Sequence, residues 1–370
     1  MPALLSTPHS LAIAMWDFSW LERRWEGGGY EDWSAALDGL VARGYDVVRI
    51  DAYPHLIWDG AERYTLKPVW DQHPWGSPHP IDVDPSSDLL EFIALAREKG
   101  LLVSLSSWYR EDSADVRRRL RTPEDLASVW LATLAHIESA GLLDAVWFVD
   151  LGNEWPQPMW APFLYQQGDD AASLDRTSAE YQRWTDTALG IVAARYPAMP
   201  LCFSFIDQMD TWARQDVSAF GLLELHIWMV QGEDPSFYES LGYDIVAASF
   251  DPDQYQVLTA APALYRSDPE LWRKQLDAAI DRAAQWSKAA SLPLVTTESW
   301  ATICWKDGEG LDWEWVKELC EHGVRRALET GRWAALSTSN FCGPQFRGMW
   351  DDTEWHQALT RAIHSVTPEI

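Results

Sequence analysis

Two stretches of the sequence end apolar runs in acids. WFVDLGNEWPQ, residues 147–157, passes through Trp147, Phe148 and Val149 and stops at Asn153-Glu154, just before Trp155-Pro156. PLVTTESWAT, residues 293–302, carries Glu298 in the same relation to its apolar run. One carboxyl group can protonate a leaving oxygen while a second attacks an anomeric carbon. A pair held about 5–5.5 Å apart can therefore cleave a sugar linkage by double displacement. A lone acid at a strand end serves equally well as a helix N-cap or as a rim ion pair. Two acids at matching strand ends, one preceded by an amide, argue for a shared site. In that chemistry Glu154 and Glu298 must differ in protonation, one neutral to donate and one ionised to attack.

What positions them is a regular alternation. Strands are predicted at 11–18, 46–53, 101–108, 145–152, 200–207, 222–229, 293–300 and 333–340, most as near-continuous apolar runs of the kind covered on both faces. Helices fill the gaps. Residues 32–43 align Trp33, Leu37, Leu40 and Val41, and Gly44 ends the run. Residues 88–99 align Leu89, Phe92, Ile93 and Ala96 ahead of Gly100. Thr122-Pro123 opens a third helix, Thr177 and Glu180 have capping-box spacing before 178–195, and Asp268-Pro269 opens 269–289. The last two helices fall at 312–329 and 354–365; the crossover near 209–218 is weak.

Eight strands alternating with about eight helices, without a composition break, predict an α/β fold: a single (β/α)₈ TIM barrel over 1–370 with long βα-loop insertions. An open doubly wound sheet would favour a glycine-rich phosphate loop after its first strand, and MWDFSWLERRW offers none. The insertions at 57–85, 155–176, 230–267 and 341–353 follow strand ends, the face on which barrel enzymes build their sites.

Composition narrows the partners. Against 29 Lys and Arg stand 56 Asp and Glu, a net charge of −27. Nucleic acid and anionic membrane need a cationic surface, so neither is expected. The basic cluster at 117–121 reads as the solvated face of a helix. The four cysteines, Cys202, Cys304, Cys320 and Cys342, form no CxxC pair and read as buried hydrophobes. No metal or organic cofactor is implied. Without a recognisable signal segment the expected location is cytoplasmic; nothing indicates an oligomeric state. Tryptophan stands out at 24 residues. Trp33, Trp130, Trp184 and Trp286 lie in helical patterns and belong to the core. Trp16, Trp20, Trp58, Trp70, Trp75, Trp108, Trp155, Trp160, Trp300 and Trp305 fall at strand ends or in loops, where indoles suit the flat C–H faces of sugars. Trp300, two residues past Glu298, is a stacking candidate. Trp16, Asp17 and Asp51 end strands one and two and are hydroxyl-binding candidates. His73 and His79 read as inert loop histidines.

The two acid motifs also carry a resemblance. The chain resembles the clan-A retaining glycoside hydrolases, the barrel clan that includes the family-five cellulases, and MWDFSW and DAYPHL resemble a cellulase-like branch of it. That clan ends strand four in Asn-Glu and strand seven in a catalytic Glu. The resemblance implies Glu154 as general acid/base, Glu298 as nucleophile, and Asn153 bonded to the hydroxyl next to the anomeric carbon. VVRID resembles the clan's VRIP, which places Arg49 beside the nucleophile. LELHIW resembles its His-x-Tyr, so His226 matches the His, and Trp228 stands where a Tyr normally bonds the nucleophile. The clan's strand-three histidine and its strand-eight Trp are missing; Asn340, in STSNFCG, is expected to face the site instead. The implied activity is retaining hydrolysis of β-linked oligosaccharides or glycosides. A transglycosylase using the same pair, or a sugar-binding barrel without catalysis, are the alternatives.

Overall fold

The computed structural model describes residues 7–165, 172–232 and 236–369. Parts of two predicted insertions, 166–171 and 233–235, lie outside the described residues, as do 1–6 and 370. The strands are β1 (Leu11–Asp17), β2 (Val47–Asp51), β3 (Leu102–Ser106), β4 (Val146–Asp150), β5 (Leu201–Cys202 and Ser204–Phe205), β6 (Leu223–Leu225 and Ile227–Trp228), β7 (Leu294–Thr296 and Ser299–Trp300) and β8 (Trp333–Leu336). All pair in parallel. The ring closes because each half of β5 serves a different neighbour. Leu201 and Cys202 face Val149 and Asp150 of β4, while Ser204 and Phe205 face Glu224 and Leu225 of β6. At the chain ends Leu11 and Ala12 lie opposite Ala335 and Leu336. The predicted barrel is thus the observed one, and the strands are mainly apolar because side chains on both faces are covered.

The helices follow the predicted stripes with shifted ends. The long ones are α1 (Trp33–Arg43), α2 (Pro85–Glu98), α3 (Pro123–Ser139), α4 (Ala179–Arg195), α5 (Pro269–Ala290), α6 (Glu314–Glu329) and α7 (Thr353–His364), with shorter helical turns in the loops. Helix α1 buries Trp33, Leu37 and Leu40, but Val41 is exposed on the opposite flank. Gly44 takes φ +83° there, the left-handed cap that lets the chain turn into β2. Thr122 and Asp125 form a capping box on α3. Helix α4 is capped by Ser178 rather than by Thr177, which bonds Asp175 instead. No α-helix forms between β5 and β6; the chain makes only a 3₁₀ turn, Met209–Arg214. The basic cluster is likewise a 3₁₀ turn rather than a helix face, and Arg117 in it is buried against Glu111 and Asp115.

The insertion after β2 holds a small antiparallel hairpin, Tyr64–Leu66 with Ile81–Val83. It is fastened over the C-terminal mouth by a buried ion pair that patterning did not show. Glu22, just after β1, accepts from Arg110 Nε at 2.7 Å and Nη2 at 3.0 Å, and Arg110 also donates to Lys67 O. Removing one member would strand the other's charge, a cost of about 3–5 kcal/mol. All four cysteines are free and buried. Among the described residues no helix is long and apolar enough to cross a membrane.

Candidate active site

Strand β4 ends at Asp150, and the chain turns sharply to aim Glu154 into the mouth. Glu154 adopts φ +48°, a strained conformation for a side-chain-bearing residue, and its N–H donates to Ser204 Oγ at 2.9 Å. Trp155 N–H then bonds Ser204 O at 2.8 Å, so the β5 backbone fixes the turn. Glu298 arrives between the two halves of β7. Carboxylate oxygens of Glu154 and Glu298 and a ring nitrogen of His226 all lie within 4.8 Å of one another.

Four further charged side chains surround this pair. Arg49, fully buried on β2, donates through Nη1 to Glu298 Oε1 at 3.1 Å, and through Nη2 to Asp150 Oδ2 at 2.7 Å and Asn153 Oδ1 at 2.8 Å. Its guanidinium lies 4.6 Å from the Trp108 ring centre. His226 on β6 places Nδ1 3.0 Å from Glu154 Oε1 and Nε2 2.9 Å from Glu224 Oε2 and 3.6 Å from Glu298 Oε1. Glu224 is itself anchored by the N–H and Oγ1–H of Thr297, the residue before the candidate nucleophile. Trp160 Nε1–H donates to the other Glu154 oxygen at 2.9 Å.

Burial sets the protonation of this cluster, and neighbours correct it. Burial opposes the charge on Glu224, but His226, Arg49 and the Thr297 bond hold its carboxyl down at about 2. Burial also opposes a charged His226, yet Glu224, Glu298 and the Glu154 bond raise it well above the ordinary imidazole value. Asp150 is raised by burial, against Arg49. Arg49 and His226 are shared among more carboxyl groups than they can neutralise, Arg49 between Asp150 and Glu298 and His226 between Glu154, Glu224 and Glu298. Glu298 reflects this. Burial pushes it up to about 7, the nearby Glu154 and Glu224 adding to the rise and His226 and Arg49 resisting it. Burial thus opposes the ionised form that attack on a sugar requires, and the one guanidinium, shared with Asp150, offsets that cost only in part.

The acids open into a cavity of about 260 Å³ at the C-terminal end of the barrel. Asp17 and Asn340 line it on the β1 and β8 side, and Trp70, Trp75, Trp108 and Trp160 supply its aromatic walls. Asn340 Nδ2 donates to Ile303 O at 3.1 Å, which fixes the amide. Burial raises Asp17 well above the usual carboxylate range. His73, expected to be inert, is buried in the wall near Cys304 and Ser249, and burial together with Lys306 lowers it to about 4.

Other candidates sit elsewhere. Trp300 is fully buried behind the site, its Nε1–H bonded to Ser337 O and its ring pressed against Gly323 of α6. Trp16 is also core, bonded to Cys342 O and packed on Tyr30 and Phe92. Asp51 accepts from the N–H groups of Tyr53 and Trp108, so it shapes two loops rather than the cavity. Trp228 turns its ring edge to His226 and lines a separate cavity of about 190 Å³ near the β5–β6 crossover. Its Nε1–H makes no bond to Glu298, and among the described residues no tyrosine hydroxyl donates to Glu298 either. Asp150, Glu224 and the Trp160–Glu154 bond were not anticipated. The available signal was two polar residues, Glu224 and His226, alternating on the inward face of an otherwise apolar strand.

A family model described as sugar-binding cellulase-like matches residues 13–364. The chain belongs to that cellulase-like family. A solved structure of a candidate glycoside hydrolase from Parabacteroides distasonis is 44% identical, with 98% of this chain and 96% of that one covered and a TM-score of 0.95. Cel5A of Thermotoga maritima, solved with mannotriose, shares the fold at 16% identity, covering 95% and 97%, with a TM-score of 0.54. A hyperthermophilic endo-β-1,4-glucanase solved with substrate does so at 13% identity, covering 93% and 91%, with a TM-score of 0.53. No curated protein matches the chain. The cellulase-like chain is thus a TIM barrel of the glycoside hydrolase type.

Proposed function

We propose that the protein is a retaining glycosidase acting on small β-linked oligosaccharides or glycosides, with Glu154 as acid/base and Glu298 as nucleophile. The observation that carries this reading is the approach of the two carboxylates within 4.8 Å over an aromatic cavity. That spacing suits direct attack on the sugar; an inverting pair needs room for a water, about 6.5–9.5 Å.

In the first step a Glu298 oxygen bonds to the anomeric carbon as the glycosidic C–O bond breaks, and Glu154 gives its proton to the departing oxygen. In the second, water attacks the same carbon, Glu154 takes a proton from it, and the bond to Glu298 breaks. Trp160 and His226 hold the two Glu154 oxygens in place between steps. Arg49 stabilises the carboxylate that Glu298 becomes on release. Asn153 spends its Oδ1 on Arg49, which leaves its buried Nδ2 free of protein partners to donate to the adjacent sugar hydroxyl. A cavity of about 260 Å³ suits one sugar ring and part of a leaving group, which favours removal of terminal residues over internal cuts.

The test is an aryl-glycoside and short-oligosaccharide screen, with the first-formed anomer followed by NMR. Release of the β-anomer from a β-glycoside is expected. First release of the α-anomer, or full turnover by Glu298→Gln, would reject the mechanism.

A further inference from the structure

The cavity changes character from floor to rim. Asp17, Glu154, Glu298 and Asn340 lie at the strand ends, while His73, Gln157, Gln231 and Ser249 are the polar members of a loop lining that is otherwise mainly apolar. At the opening Met159, from the loop after β4, and Val246, from the loop after β6, line the same cavity yet remain 44% and 74% exposed. Phe250, on the same turn as Val246, is 57% exposed. Ile245 adds a further apolar lining residue. Large apolar side chains exposed singly need no explanation; a cluster continuous with a catalytic cavity does.

The position of this rim says which part of a substrate it meets. Met159 adjoins Trp160, whose indole bonds Glu154. The leaving-group oxygen must approach Glu154 to receive its proton, so the leaving group occupies the Met159 side. Asp17 and Asn340, at the ends of β1 and β8, are left to the sugar being transferred. Met159 and Val246 offer the hydroxyls of a second sugar ring no hydrogen-bond partner, whereas an alkyl or aryl group covers their exposed apolar surface.

We propose that the Met159–Val246 rim is a binding platform for an apolar aglycone, and that the substrates are alkyl or aryl glycosides rather than oligosaccharide chains. This deepens the glycosidase reading and rests on it for the role of Glu154. The strongly acidic chain is no obstacle, since such an aglycone carries no charge.

The test measures binding rather than turnover, so it is separable from that reading. Methyl and hexyl 1-thio-β-glycosides of glucose, galactose, mannose and xylose are titrated into the full chain by calorimetry, with Met159→Ser/Val246→Ser as comparison. A fully buried methylene is worth about fourfold in affinity; with partial cover, the hexyl compound of at least one sugar should bind tenfold or more tighter than the methyl. The double variant should reduce that gain below threefold while methyl-glycoside affinity stays the same. Equal affinity of hexyl and methyl compounds for all four sugars would overturn the proposal. So would an undiminished gain in the variant, or a dimer in light scattering that Val246→Lys dissociates, since the patch would then be covered by a second copy. A hexyl gain in a protein that hydrolyses no O-glycoside would sink the glycosidase reading and leave the platform standing.

Discussion

His226 Nδ1 lies 3.0 Å from Glu154 Oε1. The other ring nitrogen faces Glu224 and Glu298, so one imidazole reaches both members of the candidate catalytic pair and a third acid beneath them. Its charge lowers the Glu298 carboxyl. His226→Gln removes that charge, and the acidic limb of the kcat/KM profile should move to higher pH. An unmoved limb would show that the imidazole does not set the ionisation of Glu298.

Glu298 titrates at about 7 in the free site, and kcat/KM reports the free enzyme. The value of kcat/KM should therefore fall below pH 7 as the nucleophile takes up a proton. A plateau extending down to pH 5 would contradict this.

The same carboxyl has a consequence for stability. Its folded value lies above the ordinary glutamate value of 4.5, so the folded chain holds the proton more tightly between those pH values. This contribution is present at low pH and is lost as pH rises through about 7. Glu298→Gln keeps the shape without the titration and should raise Tm more at pH 8 than at pH 5. The difference in stability is of order 3 kcal/mol. Thermal unfolding of both chains at the two pH values measures it.

Arg49→Met should destabilise strongly. The change leaves Asp150 and Glu298 buried without their shared cation, a loss of about 3–5 kcal/mol. Denaturant unfolding of the inactive variant is the measurement; a loss under 1 kcal/mol would mean that neighbouring serines and water replace the guanidinium.

Trp300 is a packing residue, and its neighbour on α6 tests that. A Cβ at Gly323 would meet the indole at 2.7–2.8 Å. Gly323→Ala should cost about 1–3 kcal/mol by overpacking, read as a fall in Tm.

Much of this arrangement is legible in sequence because barrel strands advertise themselves. The VWFV run before Glu154, the PLV before Glu298 and the VV before Arg49 are apolar, so Glu154, Glu298 and Arg49 stand out against their surroundings. Trp300 and Trp16 misled for a related reason: beyond a strand end, composition does not say whether an indole turns outward to a ligand or back under a helix. Asp150 and Glu224 stayed hidden because a buried acid is interpretable only with its partner, and Arg49 and Thr297 lie 101 and 73 residues away. The β5–β6 crossover read as weak because its segment makes only a 3₁₀ turn.

Arg49 collects its partners from the length of the chain. Its bonds reach Ser106, 57 residues on, and Glu298, 249 residues on, with Asp150 and Asn153 between. No local segment assembles even half of this constellation, and contacts so distant in sequence form slowly. Refolded chains should regain activity only with their slowest phase, when the ring seals, so that catalysis itself becomes the clock by which completion of the barrel is timed.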